Sequence, residues 1–176
     1  MQLSVAETFS GTLRTLDSLL EKAADQGGKD ADELMSARLA PDMYPLATQV
    51  CFAVYHALEI PHRLRGEPVP ESVVAHVMAG LDPDNPGTLA AARARVADAI
   101  AILETAPAAN PTPLGDAMVR IEQPNGTFAM TGEQYVRDWA MHQFYFHVMT
   151  AYAILRAAGI AIGKADYMPF ARFKVA

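Results

Sequence analysis

Five histidines are the residues of this chain best suited to chemistry near neutral pH: His56, His62, His76, His142 and His147. An imidazole gains or loses a proton in that range, and its neutral nitrogen is a good metal ligand. Two metal ligands on one helix face normally stand four residues apart. His142 and His147 are five apart, so at about 100° per residue their side chains diverge by roughly 140°. The positions in register with His147 hold Gln143 and Ala151, neither a good ligand. No HExxH or carboxylate-x-x-His motif is present. His147 sits on the most apolar stripe of its segment. There a core histidine, hydrogen-bonded to a hydroxyl or a carboxylate, is the plain reading and contact with a ligand is the functional one. His56 lies beside the apolar stripe of its own helix and is the best-placed partner. His62 and His76 read as surface residues, and His142 as surface or interface.

Other chemistry-bearing residues are few. Cys51 is the single cysteine, set in an apolar helical pattern with no flanking cation, which describes a buried packing residue better than a reactive thiol. Arg38, Asp42 and Arg156 are expected to pair near one end of the structure. Tyr145, Tyr152 and Phe144 follow helical spacing and suit a core. Gly159-Ile160-Ala161-Ile162-Gly163-Lys164 lacks the strand, the glycine spacing and the Ser/Thr of a phosphate loop. No GxSxG elbow occurs. The candidate ligand pocket is therefore His147, His56, Tyr152, Asp42 and Arg38, with no complete metal-ligand set. A divalent ion such as Zn or Ni held by His56, His147 and Asp42 is the alternative. A small-molecule sensor with an apolar pocket between the second and fourth long helices is a further one.

Helices must position these groups. Ser4 and Glu7 form a capping box, and Phe9, Leu13, Leu16, Leu20 and Ala23 then recur on one face until Gly27-Gly28. A helical turn is expected at 30–37. Asp42 is a candidate N-cap for a second long helix, with Leu46, Val50, Ala53, Ala57 and Leu64 as its stripe. Pro61 predicts a kink or break in it. Residues 67–87 are a long connection containing a short helix around Val73, Val74 and Val77. Thr88 caps a third long helix carrying Leu89, Arg93, Val96, Ile100 and Leu103. Met118–Ile121 and Thr127–Met130 flank Pro124-Asn125-Gly126, whose Asn-Gly pair predicts a type I′ hairpin. Thr131 and Gln134 form a second capping box and open a fourth helix that ends at Gly159. Its stripe is Val136, Ala140, Phe144, His147, Ala151 and Leu155. Tyr167, Phe170 and Phe173 in the tail are expected to clasp the bundle or a second chain.

Composition limits the partners. Fourteen Lys+Arg against twenty Asp+Glu give a net charge of −6, and no basic run exists, which argues against nucleic acid or an anionic membrane. The uncharged stretch Trp139–Leu155 is shorter than the roughly 20 residues a membrane span needs. The N-terminus has no signal-peptide pattern, and a lone cysteine suits a reducing, cytoplasmic compartment. At 51 % apolar residues the chain can build its own core.

Three motifs also carry a family resemblance. They are Ala37-Arg38-Leu39-Ala40-Pro41-Asp42-Met43-Tyr44-Pro45-Leu46, Thr131-Gly132-Glu133-Gln134-Tyr135, and the run Phe144 to Arg156 followed by Gly159 and Gly163-Lys164-Ala165-Asp166-Tyr167. Together they resemble an uncharacterised bacterial branch, a domain of unknown function, of the DinB/YfiT-like superfamily. The resemblance implies an all-α four-helix bundle with up-down-down-up connectivity, here with a small β-hairpin before the last helix, and often a homodimer. In the wider superfamily it implies a divalent metal on three histidines, one from the second helix and two at i,i+4 on the fourth, sometimes serving thiol-dependent transfer or isomerisation. Only His56 and His147 match that pattern here. The expected function is thus a homodimeric, non-metal or weakly ligand-binding bundle, with a metal-dependent transferase or isomerase as the alternative.

Overall fold

The computed structural model describes residues 5–82, 84–105 and 118–168. The capping role of Ser4 and the tail residues Phe170 and Phe173 fall outside the described residues. Helix α1 (Val5–Gly27) buries Phe9, Leu13, Leu16, Leu20 and Ala23 as the spacing predicts, with Leu19 added. It packs along α4 (Leu89–Thr105). There Arg93 leaves the apolar stripe: its guanidinium donates to Asp17 at 2.9 and 3.4 Å and to Glu21 at 3.0 Å on α1. A 3-10 helix, Gly28–Ser36, takes the place of the expected turn and supplies Asp32, whose carboxylate accepts from the Leu89 amide at 2.8 Å. Asp32 thus satisfies an orphan donor at the start of α4 from across the chain.

Helix α2 (Leu46–Leu64) begins later than the sequence suggests. Asp42 does not cap it; Pro45 occupies the cap position, extended at φ −72°, ψ 171°. A residue preceding proline is pushed out of the α region, so the helix starts only after Pro45. Pro61 does not break the helix, which continues to Leu64. Placed in the last turn, proline removes a single amide donor close to where the hydrogen-bond ladder ends anyway.

The long connection contains α3 (Glu71–Gly80), which docks on α2. Thr48 donates to the Gly80 carbonyl at 2.6 Å, and a Cβ on Gly80 would stand 2.9 Å from that of Cys51 and 3.2 Å from the Phe52 ring. Glycine is what lets the two helices meet there. Thr88 accepts from the Ala91 amide at 3.1 Å, as its capping role requires. The four long helices form the up-down-down-up bundle expected of the fold, with α2 against α3, α4 and the last long helix.

Strands β1 (Met118–Gln123) and β2 (Gly126–Thr131) pair antiparallel, with Gln123 opposite Gly126. The two linking residues are therefore Pro124 and Asn125, not Asn125 and Gly126. Proline fixes φ near −65°, and among the described residues no non-glycine has positive φ, so the turn is not type I′. Gly126, at φ 142°, takes the conformation other residues avoid. Val119 and Ile121 are buried opposite Met130 and Phe128, and Phe128 rests on Trp139 with centroids 5.5 Å apart.

The fourth helical segment opens as expected. Thr131 accepts from the Gln134 amide at 3.2 Å, and the Gln134 side chain accepts from the Thr131 amide at 3.0 Å. One α-turn, α5 (Gly132–Gln134), passes into a π-helical turn (Tyr135–Ala140) and then into α6 (Met141–Ala157). The wider turn was not expected from the sequence. It carries Tyr135 and Ala140, five residues apart, onto the buried side, both 0 % exposed, while Val136 is only half-buried. Gly159, at φ 88°, ends α6, and the Ile160 amide reaches back to the Leu155 carbonyl at 3.0 Å, the expected C-terminal signal. A last turn, α7 (Lys164–Tyr167), brings Tyr167 against Tyr152.

The Tyr135 hydroxyl is buried with no hydrogen-bond partner among the described residues. An unsatisfied buried hydroxyl costs about 1–3 kcal/mol, so Tyr135→Phe should leave stability unchanged or raise it by about 1 kcal/mol in urea unfolding. A loss of several kcal/mol would mean that the hydroxyl is satisfied.

Candidate functional site

On α2, Gln49, Phe52, His56, Glu59 and Arg63 recur at three- and four-residue steps and so share one helix face. The centre of this face is Glu59, 2 % exposed. A buried carboxylate persists only when its oxygens are occupied. Here three neighbours on the same helix do so: Tyr55 donates its hydroxyl at 3.0 Å, His56 its Nδ1 proton at 2.8 Å, and Arg63 its Nε proton at 2.9 Å. Arg63 also reaches the Arg120 carbonyl on β1 at 3.4 Å, tying the network to the hairpin.

The electrostatics follow from this packing. Burial acts to raise the Glu59 carboxyl, but hydrogen bonds and charge from His56 and Arg63 outweigh it and hold the group below its ordinary value. Burial, reinforced by the Glu59 charge, pushes the Tyr55 phenol up to about 12. The same two causes place the Tyr135 phenol well above its usual range. Glu59 is therefore an anion and both phenols are neutral.

Facing this network from α6 is His147, 6 % exposed. Its Nδ1 lies 2.8 Å from Gln49 Oε1, whose own amide nitrogen donates to the Tyr44 carbonyl at 3.1 Å. That second bond fixes the Gln49 amide, so its oxygen accepts and His147 carries the proton on Nδ1. The ring stacks on His56 at 5.4 Å with only 9° between the planes. Phe52 and Phe146 meet it edge-on at 5.1 and 5.3 Å. Burial, and then the charge of the adjoining His56, depress its pKa to about 3. His147 is consequently a neutral acceptor at any ordinary pH. Phe146 also borders an open groove of about 270 Å³ with Asp138, Trp139, His142 and Gln143.

The structure brings together two of the five expected pocket residues, His56 and His147. Tyr152 lies instead against Tyr167, with centroids 5.6 Å apart. Arg38 is exposed and donates to the Met43 carbonyl at 3.5 Å. Asp42 is exposed, and among the described residues no hydrogen bond or ion pair joins it to either imidazole. Nor do Arg38, Asp42 and Arg156 pair: Arg156 donates to the Ile162 carbonyl. His62 and His76 are half-buried and engaged, His62 with Arg65 and Glu67, and His76 with Arg95. Gln49, Phe52, Tyr55, Glu59 and Arg63 complete the cluster and were not expected from the sequence. Their signal was present in it: an acidic residue within an apolar helix, with donors four before, three before and four after.

A three-histidine metal site does not fit these residues. Among the described residues no group of three His, Cys, Asp or Glu side chains is placed to hold a metal ion. Glu59 has its oxygens committed to three donors, and Gln143 stands where a histidine in register with His147 would be.

Comparison with known proteins agrees with this architecture. The family described as "Domain of unknown function (DUF1993)" matches residues 2–168. The crystal structure of a DinB family member protein from Shewanella denitrificans is similar over 97 % of this chain and 93 % of that one, with 31 % identity and a TM-score of 0.74. No curated protein matches the chain. The helical bundle, its hairpin and this match over nearly the whole length place the chain in the DUF1993 family, with a DinB-like fold.

Proposed function

We propose that the chain is a ligand-binding helical bundle that holds a small hydrogen-bond donor at the His56–His147 pair without a metal ion. The observation that carries this reading is the tethering of both Nδ1 positions, by Glu59 and by Gln49. Each tether leaves Nε2 as the ring's other hydrogen-bonding atom, with no hydrogen-bond partner among the described residues, and on the neutral His147 it is an acceptor. Phe52 and Phe146 supply apolar edges, and the Glu59 anion adds negative potential. Such surroundings favour a ligand that presents an N–H or O–H beside an apolar or aromatic portion, such as a primary amide or an amine.

A second reading has a specific observation behind it. Fixing imidazoles through Nδ1 with a carboxylate or an amide oxygen is also how metal-binding histidines are oriented. A divalent ion could then take two ligands here and a third from a substrate or a partner chain, as a DinB-like transferase or isomerase would require.

We also propose a homodimer. Its support is three exposed apolar side chains around the site: Tyr44, which meets Phe52, Phe146, which meets His147, and Met149 one turn along α6, at 51, 56 and 45 % exposure. Single exposed apolar residues are ordinary, whereas a contiguous group favours burial against another chain. A bacterial, cytoplasmic setting accords with the bacterial neighbour and the buried free Cys51. No helix among the described residues is long and apolar enough to cross a membrane.

The ligand reading is tested by thermal shift with primary amides and amines, on protein purified without chelators or an affinity tag. A ligand at about 100 times its Kd should stabilise the wild type by about 2.7 kcal/mol and leave His147→Ala unaffected. Stoichiometric Zn, Ni or Mn in that protein would overturn it in favour of the metal reading. Sedimentation equilibrium should give a dimer that Met149→Glu dissociates; a wild-type monomer at high concentration would reject the second proposal.

The protonation of His147 gives a further outcome. Its folded pKa, about 3, is below the ordinary 6.5, so the unfolded chain takes up the proton first as pH falls. Its contribution is intact above pH 6.5 and declines toward pH 3, at up to about 1.4 kcal/mol per pH unit. Glu59, also depressed, adds a loss of the same sign only below the ordinary carboxylate value. Between pH 6.5 and 5, urea unfolding should therefore weaken more steeply for the wild type than for His147→Gln. Parallel curves would show that the ring protonates freely in the folded state.

A further inference from the structure

A second site lies away from the histidine pair. A pocket of about 150 Å³ opens where the start of α4 meets α2 and the end of α3. Its walls are largely apolar, with Val50, Ala92 and the 7 %-exposed Cys51 among them. One cation lines it, the half-buried Arg95.

The placement of Arg95 is unusual. Nη1 donates to His76 Nδ1 at 2.6 Å. An arginine cannot lose its proton in a protein, so the imidazole must be the acceptor and therefore neutral there. Burial and the Arg95 charge accordingly lower the His76 pKa, against a smaller opposing effect of Asp98. The guanidinium is thus oriented by a group that brings no negative charge. Among the described residues no carboxylate forms an ion pair with Arg95. Asp82 lines the same pocket, and its carboxylate accepts from the Asp84 amide at 3.2 Å. At the start of α4 the Leu89 and Ala91 amides are already taken by Asp32 and Thr88, which leaves the guanidinium as the cationic donor of the pocket.

We propose that this pocket binds a short-chain monocarboxylate, its carboxylate on the Arg95 fork and its alkyl portion against Val50, Cys51 and Ala92. A cavity of this volume holds about six non-hydrogen atoms, the size of benzene, and butyrate has that many. A guanidinium pairs with a planar carboxylate through two parallel hydrogen bonds. A dianion such as phosphate would bring twice the charge of a monocarboxylate toward the Asp82 carboxylate and has no alkyl portion for the apolar wall, with one guanidinium as its cationic donor.

The test is amide NMR of the full chain at constant ionic strength, titrated with butyrate, 1-butanol and inorganic phosphate. Butyrate should give saturable shifts at Cys51, Thr88, Ala91 and Ala92, with millimolar affinity. 1-Butanol, with the same number of carbons and no charge, should bind about tenfold more weakly, as should butyrate to Arg95→Gln. The proposal fails if butyrate gives no saturable shifts there, if the alcohol binds equally well, or if phosphate binds more tightly. Unchanged affinity in a folded Arg95→Gln also rejects it. Should that variant not fold, the comparison of acid with alcohol in the wild type decides.

Discussion

A carboxylate enclosed in a helical bundle must have its oxygens occupied, and the site is organised around meeting that demand for Glu59. Removing a charge from water costs several kcal/mol unless strong hydrogen bonds replace the lost hydration. Helix α2 answers locally, with Tyr55, His56 and Arg63 all within one turn of Glu59. Each donor is thereby fixed. His56 is held in one tautomer, Tyr55 is held neutral, and Arg63 is drawn inward far enough to reach β1. The attitude of the His56 ring, and so the flat stack it makes with His147, follows from this arrangement.

The two histidines are similar in geometry and different in support. His56 leans on an anion, whereas His147 leans on the neutral oxygen of Gln49. The amide oxygen brings His147 no negative charge, so burial dominates there and the ring stays neutral. The pair consequently joins one imidazole backed by negative charge to one kept uncharged. That asymmetry distinguishes the site from a set of equivalent metal ligands. It is also why the site is better described by what it can accept than by what it can coordinate.

Much of the fold could be read in the sequence, because its signals are local. The stripe from Phe9 to Ala23, the capping box at Thr131 and Gln134, and the terminating Gly159 each depend on neighbours within a turn. The errors arose where one local rule overrode another. Pro45 displaced Asp42 as the start of α2, and Pro124 took the turn position that Asn125-Gly126 suggested. The convergence of His56 with His147 was legible, because each lay on or beside an apolar stripe. The remaining members were not recognised, since Glu59 and Arg63 in isolation look like ordinary solvent-facing charges. Only the donor spacing around Glu59 distinguishes them. The tether from Gln49 joins residues 98 apart in the chain, and helical periodicity carries no information about such a contact.

The π-helical turn at Tyr135–Ala140 has one more implication. A turn of this kind holds one residue more than an α-helix needs, so it works as a phase adjuster between the hairpin and α6. Upstream of it the chain is aligned to bury Tyr135; downstream it is aligned to bury Phe144 and His147. Losing a single residue from this stretch would let the backbone relax into ordinary α-helix, with α6 still seated. The hairpin would then swing by about 100° around the helix axis. The bearing of β1, and with it the carbonyl that Arg63 grasps, therefore depends on the count of residues in one turn as well as on the hairpin's own packing.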